Sequence, residues 1–577
     1  MSKKSFGLVA AAVIIIASVI IGGVIGAPSL RAFSAGAGND RSVFVEEAYT
    51  EAVSVVASNY VDEIDYEKAN QSAIQGMLSA LDPHSNFFTK AEYTKLLQDQ
   101  DSRYVGIGVT IGRHRDGVYV QSLFEGAPAV RAGLRYGDRI TEVDGRDARD
   151  WSTVQVSSAV RGERGKTVTL KVERDGANAP IYRDIVRDSV PLPSISTAYV
   201  VRPGIGYIAL TRGFNHTTTD ELRSAISNLE KQGMRQLVLD LRNNPGGLLE
   251  QSISVSSLFV GRGQAIVSVR GRDDDGSKAY KNTSTEPVGV PLVVLINRNS
   301  ASASEIVAGA VQDHGRGLVV GETSFGKGLV QRVFPLPFGA GLTLTTAKYY
   351  TPYGRLIQRD YSNGSLYDYY VRHDPADEPR PQTPRSPSLP TQPAAIAPGA
   401  LPTPLVTPQP TPAPSGPAIK TAAGRVFYGG GGITPDVEVK PLDVSLPTRG
   451  RIYEAAFQFA RKLAAGEIIG LESYRIGDTQ FNHTLRPTDY PVTDRVVEAF
   501  RNFVRRDAQF GLSLAQIDAD LDYTKLRIRD ELVTAAYSAE AGGRALLESD
   551  PQFLRALEAL PGARQLAESV SRISPLN

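Results

Sequence analysis

The chain has 577 residues, which at about 150 residues per domain makes roughly four folded units. Its 63 Lys and Arg balance 62 Asp and Glu, a net charge of +1, and that excludes the strongly basic surface that draws a protein to nucleic acid. Cysteine is absent, which removes disulfides, thiolate metal sites and cysteine nucleophiles, so covalent catalysis would fall to Ser, Thr, Lys, Tyr or a carboxylate.

Phe6 to Ala27 runs without a charge and follows Lys3 and Lys4. As a helix it would span about 33 Å, slightly more than a hydrocarbon core. Residues 1–27 therefore read as a transmembrane signal anchor, with the leading basic end cytoplasmic and the rest of the chain on the extracytoplasmic, periplasmic side of the inner membrane. The competing reading is a cleaved signal peptide, although Ala35-Gly36-Ala37 lies far beyond the apolar run for a cleavage site.

Residues 41–100 carry apolar side chains at three- and four-residue intervals and read as a helical domain, with Asp82-Pro83 ending its second run. From 104 to 187, short β-rich runs punctuated by Gly and Asp suggest a small, partly open barrel, with helix candidates at Ala127–Ala132 and Val154–Arg161. From 191 to 374, strands alternate with helices, the pattern of an α/β core with crossover connections. Residues 375–417 hold 15 of the 36 prolines and too few apolar residues to offset ordering, so they read as an extended linker, or else as a ligand for a proline-recognising partner. A glycine turn and strand within 418–445 would end the core, and 450–577 is amphipathic helix that leaves a homo-oligomer open.

Three signals could carry chemistry. Asn299-Ser300-Ala301-Ser302-Ala303-Ser304-Glu305 follows the buried run PLVVLIN and precedes a helix, where free N–H groups can stabilise an oxyanion. Taken alone, such a run is more often a helix cap. Gly321 to Gly328 (GETSFGKG) nearly matches a phosphate-binding loop, but Gly328 replaces the magnesium-binding hydroxyl and a strand follows. Lys327, between two glycines at a strand entering the core, would be desolvated, and as a neutral amine it could serve a serine as general base. Leu241-Arg242-Asn243-Asn244-Pro245-Gly246-Gly247 ends another strand, either as a plain turn or with its glycines letting N–H groups approach a ligand.

In this order, the three signals resemble the signature of the carboxy-terminal processing peptidases, or tail-specific proteases. The resemblance covers roughly Tyr49 to Lys440. It implies a multidomain chain: an N-terminal helical domain, a PDZ-like β domain, an α/β crotonase-like protease core, and a C-terminal helical region that the resemblance does not reach. It implies Ser302 as nucleophile, Lys327, 25 residues on, as its base, and Gln331 as a residue orienting the lysine. DLRNNPGG matches the family's DLRxNxGG. The oxyanion hole is expected from the Ala303 N–H with one from Gly246 or Gly247. Neither metal nor cofactor is called for.

Some family members are described with an aspartate at the position of Asp313. A continuous helix from Ser302 to Asp313 would separate the two by about 16 Å, so Asp313 reads as structural, and the same separation argues against His314. Gln331 sits four residues from Lys327 on a strand, about 13 Å away if extended, so contact needs a bend. In YVGIGVTI, followed by a PDZ-like run, Gly106, Ile107 and Gly108 are expected to bind a peptide carboxylate on their N–H groups while the peptide pairs with the strand edge. The expected function is that of an exported serine endopeptidase that takes protein substrates by their C-terminal tails. The alternatives are a catalytically idle PDZ scaffold and an acyl-CoA enzyme, against which stand the dyad and the peptide-binding domain respectively.

Overall fold

The computed structural model describes residues 39–573 apart from 101, 273–276, 284–286, 362–416, 422–423 and 445. The anchor expected over 1–27 and nearly all of the Pro-rich stretch 375–417 lie outside these residues. Among the described residues no helix is long and apolar enough to cross a membrane. The expected single-pass inner-membrane location, with its membrane partner, is corrected accordingly and not carried further.

Two compact units meet at Gly76 and Met77. In the first, α1 (Asn39–Asn59) is followed by the start of α2 (Tyr66–Ser79), and the apolar side chains Val43, Phe44, Val53 and Val56 of α1 are exposed. The second unit opens with a correction to the purely helical reading of 41–100. Asn86–Phe88 is a strand, β1, too short to show any periodicity, and α3 (Lys90–Gln100) follows it.

The β-rich region comprises β2 (Arg103–Gly106), β3 (Val109–His114), β4 (Gly117–Leu123), α4 (Pro128–Arg131), β5 (Arg139–Val143), β6 (Arg146–Asp147), α5 (Thr153–Val160), β7 (Thr167–Glu173), β8 (Ile181–Val186) and β9 (Asp188–Pro191). Its main sheet runs β3-β4-β5-β7-β8, with β6 on β5 and β2 paired separately with β9. Val168, Leu170 and Val172 of β7 are fully buried and alternate with half-buried Thr169 and Lys171, as a strand with one covered face requires. α5 starts where a capping box starts it: Ser152 Oγ accepts the Gln155 N–H, and the Gln155 side chain accepts the Ser152 N–H.

The central sheet has the order β10 (Ile195–Arg202), β11 (Ile205–Leu210), β12 (Gln236–Asp240), β15 (Leu292–Ile296), β16 (Leu318–Gly321) and β21 (Val437–Glu438). Only the β10–β11 pairing is antiparallel. Leu292 to Ile296 are all fully buried because both faces are covered. On one side, Leu292, Val294 and Ile296 join the core formed with α6 (Thr218–Lys231), α7 (Leu249–Ser257) and α8 (Ala303–Asp313). A second sheet joins β1, β13 (Ala265–Gly271), β14 (Lys278–Lys281), β17 (Leu329–Pro335) and β18 (Gly341–Tyr350). A small hairpin pairs β19 (Ala418–Lys420) with β20 (Val426–Tyr428).

The C-terminal helices are α9 (Pro447–Ala465), α10 (Asp494–Arg506), α11 (Leu514–Ala519), α12 (Leu521–Ala536), α13 (Ala539–Leu547) and α14 (Pro551–Ile573). The last supplies Phe553, Ala556, Leu560 and Ala563 to the other face of the central sheet, against Val238, Val293 and Leu295. α9 and α12 also pack on the β-rich region. The Phe457 ring stacks on His114 with centroids 3.6 Å apart, Glu454 pairs with His114 at 2.7 Å, and the Tyr136 hydroxyl donates to Glu531 at 2.7 Å.

Candidate active site

β12 and β15 run parallel, so the turns leaving their C-terminal ends lie side by side, where α/β sheets bind ligands. Asn244, fully buried, stitches the two turns together. Its Nδ2 donates to the Leu210 carbonyl at 2.7 Å, its Oδ1 accepts the Gly246 N–H at 2.9 Å, and its own carbonyl accepts from Ala301 N at 3.0 Å and Ser304 Oγ at 3.1 Å. Ser300 Oγ adds a bond to the Leu241 carbonyl at 2.9 Å. Gly246 has φ of 96°, and a Cβ there would stand 2.6 Å from Ser302 Cβ and 2.9 Å from Ala303 N. Only glycine fits this approach.

Ser302 sits just before α8 with φ 54° and ψ −111°, a conformation that costs a non-glycine residue about 1–3 kcal/mol. Glu305 holds it there. This glutamate is fully buried, and its Oε2 accepts the N–H groups of Ser302 at 2.7 Å and Lys327 at 2.9 Å. Its Oε1 accepts Ser324 Oγ at 2.5 Å and the Gly326 N–H at 2.7 Å. Burial pushes the Glu305 carboxyl up from its ordinary range, while these four donors favour the charged form. Ser324 Oγ accepts from Ile433 N and directs its own proton at Glu305, so all four partners donate to the carboxyl group.

Lys327 lies not on the strand expected for it but in the loop between β16 and β17, and that loop is tied to the serine turn a second time through Phe325 N and the Ser300 carbonyl, 2.9 Å apart. Burial lowers the Lys327 pKa, and the charges of Glu305 and Asp82 oppose that shift. Among the described residues no hydrogen bond joins Lys327 Nζ to Ser302 Oγ or to Gln331. The structure does contain the bend that Gln331 needs, since the β17–β18 register shifts between Val330 and Gln331. The Gln331 amide nitrogen donates to Thr345 Oγ1 at 3.2 Å.

The expected oxyanion donors divide. The Gly246 N–H is taken by Asn244, whereas neither Gly247 N nor Ala303 N donates to another described residue. Gly247 could not carry a side chain either, because a Cβ would lie 2.2 Å from the Phe214 carbonyl oxygen. Asp313 and His314 stand at the far end of α8 from Ser302. Asp313 pairs with buried Arg355 at 2.5 Å and accepts Tyr353 N at 3.1 Å, and the His314 ring bonds the Ala265 carbonyl at 2.7 Å.

In the β-rich region, Gly106 is the last residue of β2, opposite Asp188. Ile107 is 1% exposed as a whole residue, its carbonyl accepts the Ala129 N–H at 2.8 Å, and Gly106 and Gly108 are buried beside it. Gly108 has φ of 79°, and its carbonyl accepts the Phe124 N–H at 3.1 Å. β3 is an edge strand, and α5 packs beside it.

The sequence reading gave Glu305 no role. Its signal was the S-x-x-E spacing from Ser302, which marks a helix start, but nothing in that spacing shows that the same carboxylate also reaches residues 324–327. It likewise missed Asn244, whose bonded partners Leu210, Ala301 and Ser304 are distant in sequence.

Residues 204–371 match Peptidase family S41, and residues 105–181 match the PDZ domain family. A carboxy-terminal-processing protease of Bartonella bacilliformis is 38% identical over 308 residues, covering 52% of this chain and 70% of the relative. The carboxy-terminal processing protease CtpB of Bacillus subtilis is 35% identical over 318 residues, covering 55% of this chain and 65% of the relative. Among solved structures, a photosystem II D1 C-terminal processing protease is 33% identical with a TM-score of 0.33, covering 55% of this chain and 85% of that one. The chain thus carries a protease region, a PDZ domain and flanking helices, and it belongs to peptidase family S41, the carboxy-terminal processing serine proteases.

Proposed function

We propose that the chain is an endopeptidase with a Ser302/Lys327 dyad on a crotonase-like core, and that it takes protein substrates by their C-terminal tails. Neutral Lys327 removes the Ser302 Oγ proton as Oγ bonds to the scissile carbonyl carbon. The C–N bond then breaks, the leaving amine takes the proton from Lys327, and water hydrolyses the ester with Lys327 again as base. The negative oxygen of the tetrahedral state is met by the Gly247 and Ala303 N–H groups, with Gly246 lending shape rather than its N–H. Gln331 orients Lys327 once substrate draws the amine toward Ser302; catalytic hydrogen bonds are often unformed in a free enzyme.

The observation that carries this reading is the single carboxylate of Glu305, which bonds the backbone of Ser302 and of Lys327 at 2.7 and 2.9 Å. For the tail, the backbone loop at Gly106, Ile107 and Gly108 receives the carboxylate, and the extended peptide adds to the β3 edge beside α5. The test is cleavage of an unfolded protein by purified Ser302→Ala and Lys327→Ala. Both are expected to lose it, and full activity in either would sink the dyad.

A further inference from the structure

Arg242, the arginine of DLRNNPGG, ties the turn that carries Gly247 to α14, a helix in which the sequence shows no motif with chemical meaning. Asp240 ends β12 and is 3% exposed. Its carboxylate takes one edge of the Arg242 guanidinium, with Nε 3.0 Å from Oδ1 and Nη2 2.7 Å from Oδ2. The Arg242 N–H at 2.9 Å and the Tyr207 hydroxyl at 2.8 Å donate to the same carboxylate. The remaining nitrogen faces α14: Nη1 donates to Asp550 Oδ2 at 2.6 Å and to Gln552 Oε1 at 3.0 Å. Two parallel bonds to one carboxylate fix the plane of a guanidinium, so α14 meets the fork in one orientation.

Both α14 residues are themselves held. Asp550 stands just before the helix, and its Oδ1 accepts the N–H groups of Gln552 at 2.9 Å and Phe553 at 3.1 Å, as an N-cap does. Gln552 is 1% exposed and donates its amide to the Val439 carbonyl at 2.8 Å. After Arg242 comes Asn243, with φ 59° and its N–H on Asn297 Oδ1 at 2.9 Å. A left-handed residue of this kind persists only where its surroundings hold it. Arg242 anchors the turn before Asn243, and Asn244 anchors it after.

We infer that α14 is a working part of the protease site: Asp550 and Gln552 fix Arg242, and Arg242 is a positioning residue for the turn that presents the Gly247 N–H. This rests on the reading of Gly247 and Ala303 as oxyanion donors. The Ala303 N–H belongs to α8, whose start Glu305 holds, so a looser clamp moves one donor relative to the other. A misplaced donor lowers the rate and leaves substrate affinity alone, because the charge it meets exists only in the transition state.

Asp550 has two tasks, and two substitutions separate them. Asp550→Asn keeps an oxygen for the helix cap but turns an NH2 toward Arg242, whereas Asp550→Glu keeps a carboxylate for Arg242 and caps poorly. Asp550→Asn should lower kcat on casein roughly tenfold, a fraction of the effect of losing an oxyanion donor, with KM within about twofold. A tripeptide aldehyde, whose hemiacetal with Ser302 sets its oxygen in the oxyanion site, should bind more weakly by the same factor, and the matching alcohol should bind as before. Asp550→Glu should recover most of kcat while melting at a lower temperature than Asp550→Asn. A purely structural Asp550 gives the opposite order, with kcat following the melting temperature, and that result overturns the inference. An unchanged aldehyde affinity in Asp550→Asn overturns it equally. Should Asp550→Asn fail to fold, Gln552→Met decides: it removes the second α14 acceptor of Arg242, and wild-type kcat and aldehyde affinity there overturn the inference. An aldehyde that the wild-type protein binds no more tightly than the alcohol would strike the reading of the oxyanion site itself, and the inference with it.

Discussion

Replacing Glu305 by Gln tests how the nucleophile and the base are held together. Glu305 takes two donors on each oxygen. With its NH2 toward Ser302 and Lys327 a glutamine amide faces two backbone donors, and turned the other way it faces the Gly326 N–H and a hydroxyl that can rotate to accept, so at least one bond is lost and one repulsive contact appears. Hydrogen bonds to a charged group contribute about 1.5–3 kcal/mol each, and the saving from no longer burying a charge offsets part of that loss. A net loss of roughly 2–4 kcal/mol remains. Ser302 keeps its left-handed φ of 54° partly through one of these bonds, so the loss falls on the geometry of attack. If all of it reached the transition state, kcat/KM would drop about 30- to 1000-fold. Cleavage of an unfolded protein, read beside the melting temperature and the rate of Ser302 labelling by a fluorophosphonate, measures this. A Glu305→Gln enzyme within twofold of wild type and with an unchanged melting temperature would refute the reasoning.

Gly246→Ala should place a methyl 2.6 Å from Ser302 Cβ and cost on the order of 100-fold in kcat, since displacements of about 1 Å near reacting atoms have that effect; steady-state kinetics on a folded variant checks it. Phe457→Ala should remove a fully buried ring from between His114, Tyr119 and Tyr136, destabilise by about 3–5 kcal/mol, and speed hydrogen exchange in β4, read by mass spectrometry. Glu531, raised to about 7 by burial and by the Asp530 charge, holds a proton in the folded state that the unfolded chain releases nearer its ordinary value. Its contribution to stability is therefore present at low pH and lost as pH rises toward and through about 7. Calorimetry across that window should show stability falling, and Glu531→Gln should flatten the slope.

Much of the fold was legible because the sequence carries its periods openly. PLVVLIN is a continuous apolar run because both faces of the central sheet are covered, and the alternation in TVTLKVE marks one covered face. What escaped was either too short to have a period, as with β1, or dependent on what packs against it. The amphipathic 450–577 gave no hint that α14 closes the second face of the sheet, or that α9 and α12 hold the β-rich region through His114 and Tyr136.

By itself the sequence determined which residue types stand at the strand ends: a serine at a helix start, a lysine between glycines, and a double glycine after DLRNNP. These are local facts about φ, ψ and hydrogen-bonding capacity, and they survive in the sequence because only certain residues satisfy them. Only the tertiary structure decided how the pieces meet. A buried carboxylate takes its partners wherever the chain brings unsatisfied N–H groups. Glu305 therefore joined residue 302 to residues 324–327, and the Gly246 N–H was spent on Asn244 while that of Gly247 stayed open. No spacing in the sequence encodes those choices, because each depends on which donors the fold leaves away from water.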